Sequence, residues 1–536
     1  MRYAEGVGDS FGRVATSIVL VAGLGPACAR SDAFACTQDS DCSGGVCAGA
    51  FCGFPDDSCA SGLRYGDHAG SVSGLCVLPD GVGGTSAEST TQDSGSAGEL
   101  GTGSVSGPVE DPTTGLLTDS SGGGTGPIAN FLFVDDDNVD FSGGTMDAVV
   151  YEAGRLRLAA AGQPGMFTSR IFDAGVDAQW VELRWQPDAP YGKPLLDQQA
   201  LERGYAVGAV DMAGNVLLHH FDQPSPLSPG TAVIDHSGRG NDGEIVGDGS
   251  SSTVPGIFGL AMDDDADAYD SVPVSSGDFD FGFDGYTWSI WFRFSHDCSS
   301  NNVFMGIEDV VGGGDLEEHM WMGCTDSVWT ECDSSEAGVR AGGVMISQQG
   351  AMMEEGTYFC GRTGINDGAW HHMAVVREHN DSGATRLYVD GELDHEVVGA
   401  FAQPIVFDQG PDFAIGAFTG QTFATSGTFD EAAVWTRPLE SAEVAALYAR
   451  GAATVELEVR VCTDADCASD PVFRGGSDLI AGESFTDPPN AVGPGAPLSV
   501  AALPPARWIQ YRVRMDARAD AQRPALSSVT IVGQAL

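Results

Sequence analysis

The stretch Arg386-Leu-Tyr-Val-Asp-Gly-Glu392 sets the tight-turn pair Asp390-Gly391 behind a short strand-forming run, and so predicts a β-hairpin. Working outward, Asp367-Gly-Ala-Trp-His-His-Met-Ala-Val-Val376 and Trp288-Ser-Ile-Trp-Phe-Arg-Phe294 precede it and Phe429-Asp-Glu-Ala-Ala-Val-Trp435 follows. Further out, Val181, Leu183 and Trp185 alternate with Glu182, Arg184 and Gln186. Val455, Leu457, Val459 and Val461 alternate with Glu456, Glu458 and Arg460, and Ile509, Tyr511 and Val513 with Gln510, Arg512 and Arg514. Period-two alternation marks half-buried antiparallel strands. One helix is predicted, Ser441 to Arg450, with Val444, Leu447 and Tyr448 on one face behind a cap at Ser441-Ala-Glu. The 74 glycines and 26 prolines suit many short strands joined by turns, and the predicted class is all-β.

A chain of 536 residues predicts several domains. Its 25 Lys and Arg stand against 76 Asp and Glu, a net charge of −51. That surface repels nucleic acid and anionic lipid, which excludes nucleic-acid partners. It attracts divalent cations, calcium above all, or simply keeps an extracellular protein soluble.

The 13 cysteines imply an oxidising compartment. Cys36, Cys42, Cys47, Cys52, Cys59 and Cys76 form one group; Cys298, Cys324, Cys332 and Cys360 a second; Cys462 and Cys467 a third. Each group is even, so local disulfides are expected, with Cys462–Cys467 stapling a hairpin. No histidine or paired CxxC spacing supports zinc in the first group. The odd thiol is Cys28. It follows the short apolar run Val14 to Gly25 and the small residues Pro26-Ala27. This end is similar to a bacterial lipoprotein signal, which implies a lipid-anchored Cys28, although Gly25 stands where a larger residue is usual. Cleavage after Ala27 without lipidation is the alternative. The run is too short to span a bilayer, so any membrane attachment rests on this anchor.

Residues 28–79 then form a disulfide segment with almost no apolar content, which cross-links must hold together. Its Cys36-Thr-Gln-Asp-Ser-Asp-Cys42 start resembles short modules of myxobacterial surface proteins. Residues 80–127, rich in Gly, Ser and Thr with scattered acids, read as a disordered tether.

Between 214 and 451 the landmarks keep a definite order: Leu217-Leu-His-His-Phe-Asp222, Asp235-His-Ser-Gly-Arg-Gly-Asn-Asp-Gly243, the Trp288 strand, the Trp370 strand, the Asp390-Gly391 hairpin, and Phe429 through Tyr448. In that order they resemble the laminin-G-like members of the concanavalin A-like lectin/glucanase superfamily. The resemblance implies a jelly roll of two antiparallel sheets. It further implies a calcium bridging the loop of Asp235, Ser237 and Asn241 to Asp430, a set rich in oxygen ligands. Turn hydrogen bonds made by Asp235 and Asn241 are the competing reading. Asp263-Asp264-Asp265 with Asp267 is either a second cation site or a solvated loop. The insert between the Trp288 strand and Trp370 reads as an elaborated hairpin edge stapled by two disulfides. Its His319-Met-Trp-Met-Gly-Cys324 run offers either a binding surface or core packing.

Residues 128–213 and 452–536 each hold too few strands to stand alone. The flank Met166-Phe-Thr-Ser-Arg-Ile-Phe-Asp-Ala-Gly175 is similar to flanks of laminin-G-like domains in large bacterial surface proteins. The expectation is therefore a jelly roll inserted into a second, discontinuous β-sandwich.

Catalysis is not expected. No Glu-x-Asp-x-x-Glu strand is present, and the Glu317-Glu318 and Glu354-Glu355 doublets are read as loop residues. His371-His372 is read as structural. Three functional classes follow: a surface adhesion module for a glycan or protein, with or without calcium; a display protein without a specific ligand; and a polysaccharide-degrading enzyme, disfavoured by the missing carboxylates.

Overall fold

A computed structural model describes residues 130–536 except 250, 266–267, 274–276, 283, 299–301, 312–314, 325–342, 348–356, 379–382, 399–411, 419–422 and 487–492. Before residue 130 it describes 42, 46–48, 51–55 and 63–65. The signal run with Cys28, the tether 80–127, Cys36, Cys59, Cys76, Cys332, Asp267 and Glu354-Glu355 lie outside the described residues. In the N-terminal unit, strands Val46–Ala48, Phe51–Pro55 and Leu63–Tyr65 form a small antiparallel sheet, and Cys42 is bonded to Cys52. Cys47 stands on the first of these strands.

From residue 130 on, the chain is all-β and the jelly roll is nested. One eight-stranded sheet runs in the order Ser252–Pro255, Leu260–Asp265, Ser426–Trp435, Tyr286–Arg293, Trp370–Arg377, Ala384–Val389, Glu392–Val398, and Asn215–His219 also pairs with Ser426–Trp435. The other sheet orders Ala232–Val233, Gly243–Gly247, Ala268–Pro273, Asp412–Ile415, Asn302–Val311, Asp315–Cys324, Gly343–Ser347 and Thr357–Cys360. Trp288, Ile290 and Phe292 of the first sheet meet Val272, Phe304 and Phe413 of the second in one buried core. Trp288 meets Phe413 edge-on, with ring centroids 5.0 Å apart. The hairpin turn is where the sequence puts it. Asp390 and Gly391 both take positive φ, 51° and 78°, as the tight turn requires.

The insert extends the edge of the second sheet. Cys298 is bonded to Cys324, and Cys360 ends the outermost strand. Met320 and Met322 enter the main core, and Trp321 packs with Val303 and Phe418 on the other face. Of the two readings of that run, core packing is the one these residues adopt. Glu317 and Glu318 are a correction, since they stand on the strand Asp315–Cys324 and not in a loop.

The helix spans Ser441–Ala452 and packs Val444 and Leu447 against Leu218 and Trp435. Its cap is Glu440 rather than Ser441, with the Glu443 carboxylate accepting from the Glu440 N–H at 3.0 Å. Ser441 is free to contact Tyr388 instead.

The host is a twelve-stranded sheet drawn from both flanks. Ala453–Cys462 pairs along its length with Ala506–Ala517, and Ala525–Ala535 pairs with both Asn130–Asp135 and Phe172–Pro187. Phe172–Pro187 serves two layers: Phe172 and Asp173 face Ile509 and Trp508, whereas Ala178 to Pro187 face Ala535 to Leu526. Gly175, at φ 74°, lies at this change of partner, where a side chain would resist the bend. Cys462 and Cys467 are bonded as expected.

The two sandwiches are welded by polar as well as apolar contacts. Leu195 and Leu196, just past the host strand, pack on Trp435 and Leu447. Below them Arg450 of the helix pairs with Glu202 at 2.6 Å and donates to the Lys193 carbonyl at 3.0 Å, and Glu202 also holds the Lys193 ammonium at 3.4 Å. These side chains are at most 2% exposed, so each charge depends on its partners.

Candidate functional site

The outer face of the first jelly-roll sheet carries the clearest site. Met262, Phe429 and Phe292 sit side by side on neighbouring strands and point into the core. One residue along each strand the side chains leave the other face, because strand side chains alternate. The result is a row across four strands: Asp263 opposite Thr428, Thr428 opposite Arg293, and Arg293 opposite Trp370. The Thr428 hydroxyl donates to Asp263 Oδ1 at 2.6 Å and accepts from the Arg293 guanidinium at 3.2 Å. Arg293 in turn lies over the Trp370 ring, 5.3 Å from its centroid. At this end of the sheet a cavity of about 430 Å³ opens, which Ser295 and His296 also line. Asp264 reaches it from the inner face and lies close to Gly416.

Of this row the sequence marks out only Asp263, as one acid in a run. Arg293, Thr428 and Trp370 come from strands far apart in sequence. Their alternation on the outer face was the one available signal.

The four residues expected to share a calcium ion fall into two groups. Asp235 organises its own loop: Oδ1 accepts from the N–H groups of Leu218 and Ser237, and Oδ2 from Ser237 Oγ and the N–H groups of Gly240 and Asn241. Asn241 donates its amide to the Val216 carbonyl at 2.7 Å and to Asp278. Asp430 serves another loop, where Oδ2 accepts from Ile257 and Phe258 N–H at 2.8 and 3.0 Å. Both Asp235 oxygens are saturated by protein donors, so the set does not fit one shared ion. Asp430 alone keeps an oxygen, Oδ1, that is buried without a hydrogen-bond partner. Burial first, and then neighbouring Glu431, pushes its carboxyl well above the usual range.

Behind the Asp235 loop lies a second buried pair. His219 Nδ1 contacts Asp270 at 2.6 Å, and its Nε2 contacts the Asn241 carbonyl at 3.1 Å. Burial works against charging this imidazole, but Asp270 outweighs it and raises the pKa. His371 is held between Asp390 at 2.7 Å and Asp367 at 3.2 Å, and His372 faces Ser289 at 2.8 Å.

Residues 265–445 match the Laminin_G_3 model of the concanavalin A-like lectin/glucanases superfamily. No curated protein matches the chain. Among solved structures, domain 4 of AbnA, a GH43 extracellular arabinanase from Geobacillus stearothermophilus, in complex with arabinotriose, is 17% identical at a TM-score of 0.30. That match covers 44% of this chain and 98% of the other. The CBM40 of the Ruminococcus gnavus IT-sialidase bound to alpha2,3 sialyllactose is 14% identical at 0.26, covering 34% and 92%. The binding domain of botulinum neurotoxin DC in complex with SialylT is 11% identical at 0.31, and the match spans 52% of this chain and 63% of that domain.

Proposed function

We propose that the chain is a non-catalytic binding protein of the cell exterior, and that its jelly roll takes a glycan on the outer face at Asp263, Thr428, Arg293 and Trp370. The observation that carries this reading is the row itself. It sets a carboxylate acceptor, a hydroxyl and a forked donor side by side along a polar cavity, with the Trp370 ring beneath Arg293 at the end of the row. Sugar hydroxyls need acceptors and donors alternately placed, and a sugar's C–H face stacks on an aromatic ring. Among the described residues no strand carries a Glu-x-Asp-x-x-Glu array, and that favours binding over glycoside cleavage, in which two carboxyls must face each other across one bond. Bonds at Cys42–Cys52, Cys298–Cys324 and Cys462–Cys467 favour an oxidising location outside the cytoplasm. A lipid at Cys28 would hold the protein there.

The test is a glycan array probed with the wild type and with Arg293→Ala, alongside Arg184→Ala on the host as a control. Signal on defined glycans that falls at least about tenfold in Arg293→Ala alone is expected, since a charged hydrogen-bond donor is removed. A flat array at high protein concentration, or binding indifferent to Arg293, leaves the spacer reading in its place.

A further inference from the structure

Three segments distant in sequence converge beside the helix-facing side of the jelly roll. Asp197 lies in the stretch that leads out of the host strand Phe172–Pro187, His220 directly follows the strand Asn215–His219, and His236 sits next to Asp235. His220 Nε2 is 3.2 Å from Asp197 Oδ1, and His236 Nδ1 is 3.4 Å from Asp197 Oδ2. The two imidazoles lie 4.5 Å apart, inclined at 57°. One ligand atom from each residue falls within 4.8 Å of the other two.

These separations bear on two roles, since His220 and Asp197 at 3.2 Å are also within hydrogen-bond reach of each other. A charge-assisted hydrogen bond draws nitrogen and oxygen to about 2.8 Å. Two atoms each about 2.1 Å from one tetrahedral ion lie about 3.4 Å apart; His220 Nε2 lies 3.2 Å from Asp197 Oδ1 and His236 Nδ1 3.4 Å from Oδ2, so each nitrogen–oxygen pair has a spacing that one ion could span. Orientation agrees. His220 turns its other nitrogen, Nδ1, onto the Glu431 carboxylate, whose second oxygen accepts from the Leu195 N–H at 3.1 Å. A carboxylate behind a histidine fixes the ring so that Nε2 faces outward. Backbone bonds hold the loops in register: Gln198 N–H to the His236 carbonyl at 2.7 Å, and His236 N–H to the Leu218 carbonyl at 2.8 Å. Positive φ at Gln198, Phe221 and Glu431 places strained backbone next to Asp197, next to His220 and at the orienting residue itself.

We propose that Asp197, His220 and His236 bind one zinc ion, with Glu431 as the positioning residue for His220. Two imidazoles and a carboxylate suit zinc, whereas calcium takes an all-oxygen shell. The carboxylates of Asp197 and Glu431 balance the ion's charge. His236 and Asp197 are about a third and a quarter exposed, which leaves an entry side and a position for water as the fourth ligand. The ion would tie the host-side segment at Asp197 to the jelly roll at His220 and His236, and so act as a staple between the two sandwiches.

The experiment uses the full chain stripped with a chelator, with zinc titrated in competition against a chromophoric chelator. One zinc per chain is expected, and addition of zinc is expected to raise the thermal midpoint. Cobalt(II) at the same site gives visible ligand-field bands. His236→Ala and Asp197→Asn, both at partly exposed positions, lose the zinc and the bands while far-ultraviolet circular dichroism reports an intact fold. Glu431→Gln weakens zinc about 10–100-fold. His371→Ala, at the unrelated histidine, retains it. The proposal is overturned if the stripped wild type takes up no zinc, if His236→Ala binds it as well as the wild type, or if calcium displaces it at equal concentration.

Discussion

The Tyr511 hydroxyl donates to Asp135 Oδ2 at 2.6 Å, joining residues 376 positions apart across the whole inserted jelly roll. Tyr511 also stacks on Phe172, and Asp135 pairs with Arg170 at 2.8 Å. One buried polar contact therefore gathers three host strands from both sides of the insertion, inside a core shared by Phe133, Trp180, Leu457 and Ile531. Neither flank can bury that core without the other.

A chain ended after Ala452 would lose the strands Ala453–Cys462, Ala506–Ala517 and Ala525–Ala535 and every contact they give to residues 130–187. Limited proteolysis should then cut within 130–187 of the truncated chain while sparing the jelly roll. In the full chain, Tyr511→Phe keeps the ring and removes only the bond to Asp135. It should lower stability by about 1–3 kcal/mol in urea unfolding, because the carboxyl stays buried with one partner fewer.

Asp135 makes the host's stability depend on pH in a definite direction. Burial pushes its pKa up to about 6 from an ordinary 3.8, against the opposing pull of the Tyr511 hydroxyl and Arg170. A carboxyl whose folded pKa is raised contributes its full stability below the unfolded value and loses it as pH rises through the folded one. Relative to Asp135→Asn, the wild type should thus lose about 2 kcal/mol between pH 4 and pH 6.5. Paired urea titrations over that range read the difference. A difference that does not move with pH would falsify the assignment.

The jelly roll and its insertion were legible because their signals are local or periodic. The Asp390-Gly391 turn and the alternation of Val455 to Val461 each fix a strand without knowledge of its neighbours. The site was far less legible. Asp263, Thr428, Arg293 and Trp370 form a row only through the register of four strands, two of them contiguous with nothing nearby in sequence. Asp235 misled for a physical reason. A carboxylate in a glycine-rich loop is equally suited to a cation and to backbone N–H groups, and composition does not tell which donors the folded loop supplies. The Glu440 cap was missed because serine is the commoner cap residue, whereas here the reciprocal contact from Glu443 decides the start.

His372 should give the opposite pH dependence to Asp135. It is buried between Trp291 and Tyr448, and burial pushes its pKa down to about 4, with only a weak opposing effect from Asp390. A histidine with a depressed folded pKa contributes stability that is present above 6.5 and is lost as pH falls through the folded value. The loss should reach about 3 kcal/mol by pH 4. Histidine ring resonances followed by NMR should show His372 still neutral at pH 5.5. A ring already charged there would contradict the burial argument.

Asp235 provides the sharpest separation of a structural from a metal-binding role. Its carboxylate accepts from four backbone N–H groups and the Ser237 hydroxyl, and the loop it shapes runs on to Gly243. A side chain at Gly243 would place its Cβ 2.0 Å from Oδ1 of Asp270, whose other oxygen, Oδ2, contacts His219, so the loop's far end is fixed by a close approach. Asp235→Ala should therefore strand several N–H groups and cost about 3 kcal/mol or more in urea unfolding. Gly243→Ala should cost a similar amount by displacing Asp270 from His219. Because the lost groups are protein donors and not ligands of an ion, the Asp235→Ala loss should be the same with calcium and with a chelator. A loss seen only in calcium would restore Asp235 as a ligand and remove the structural account.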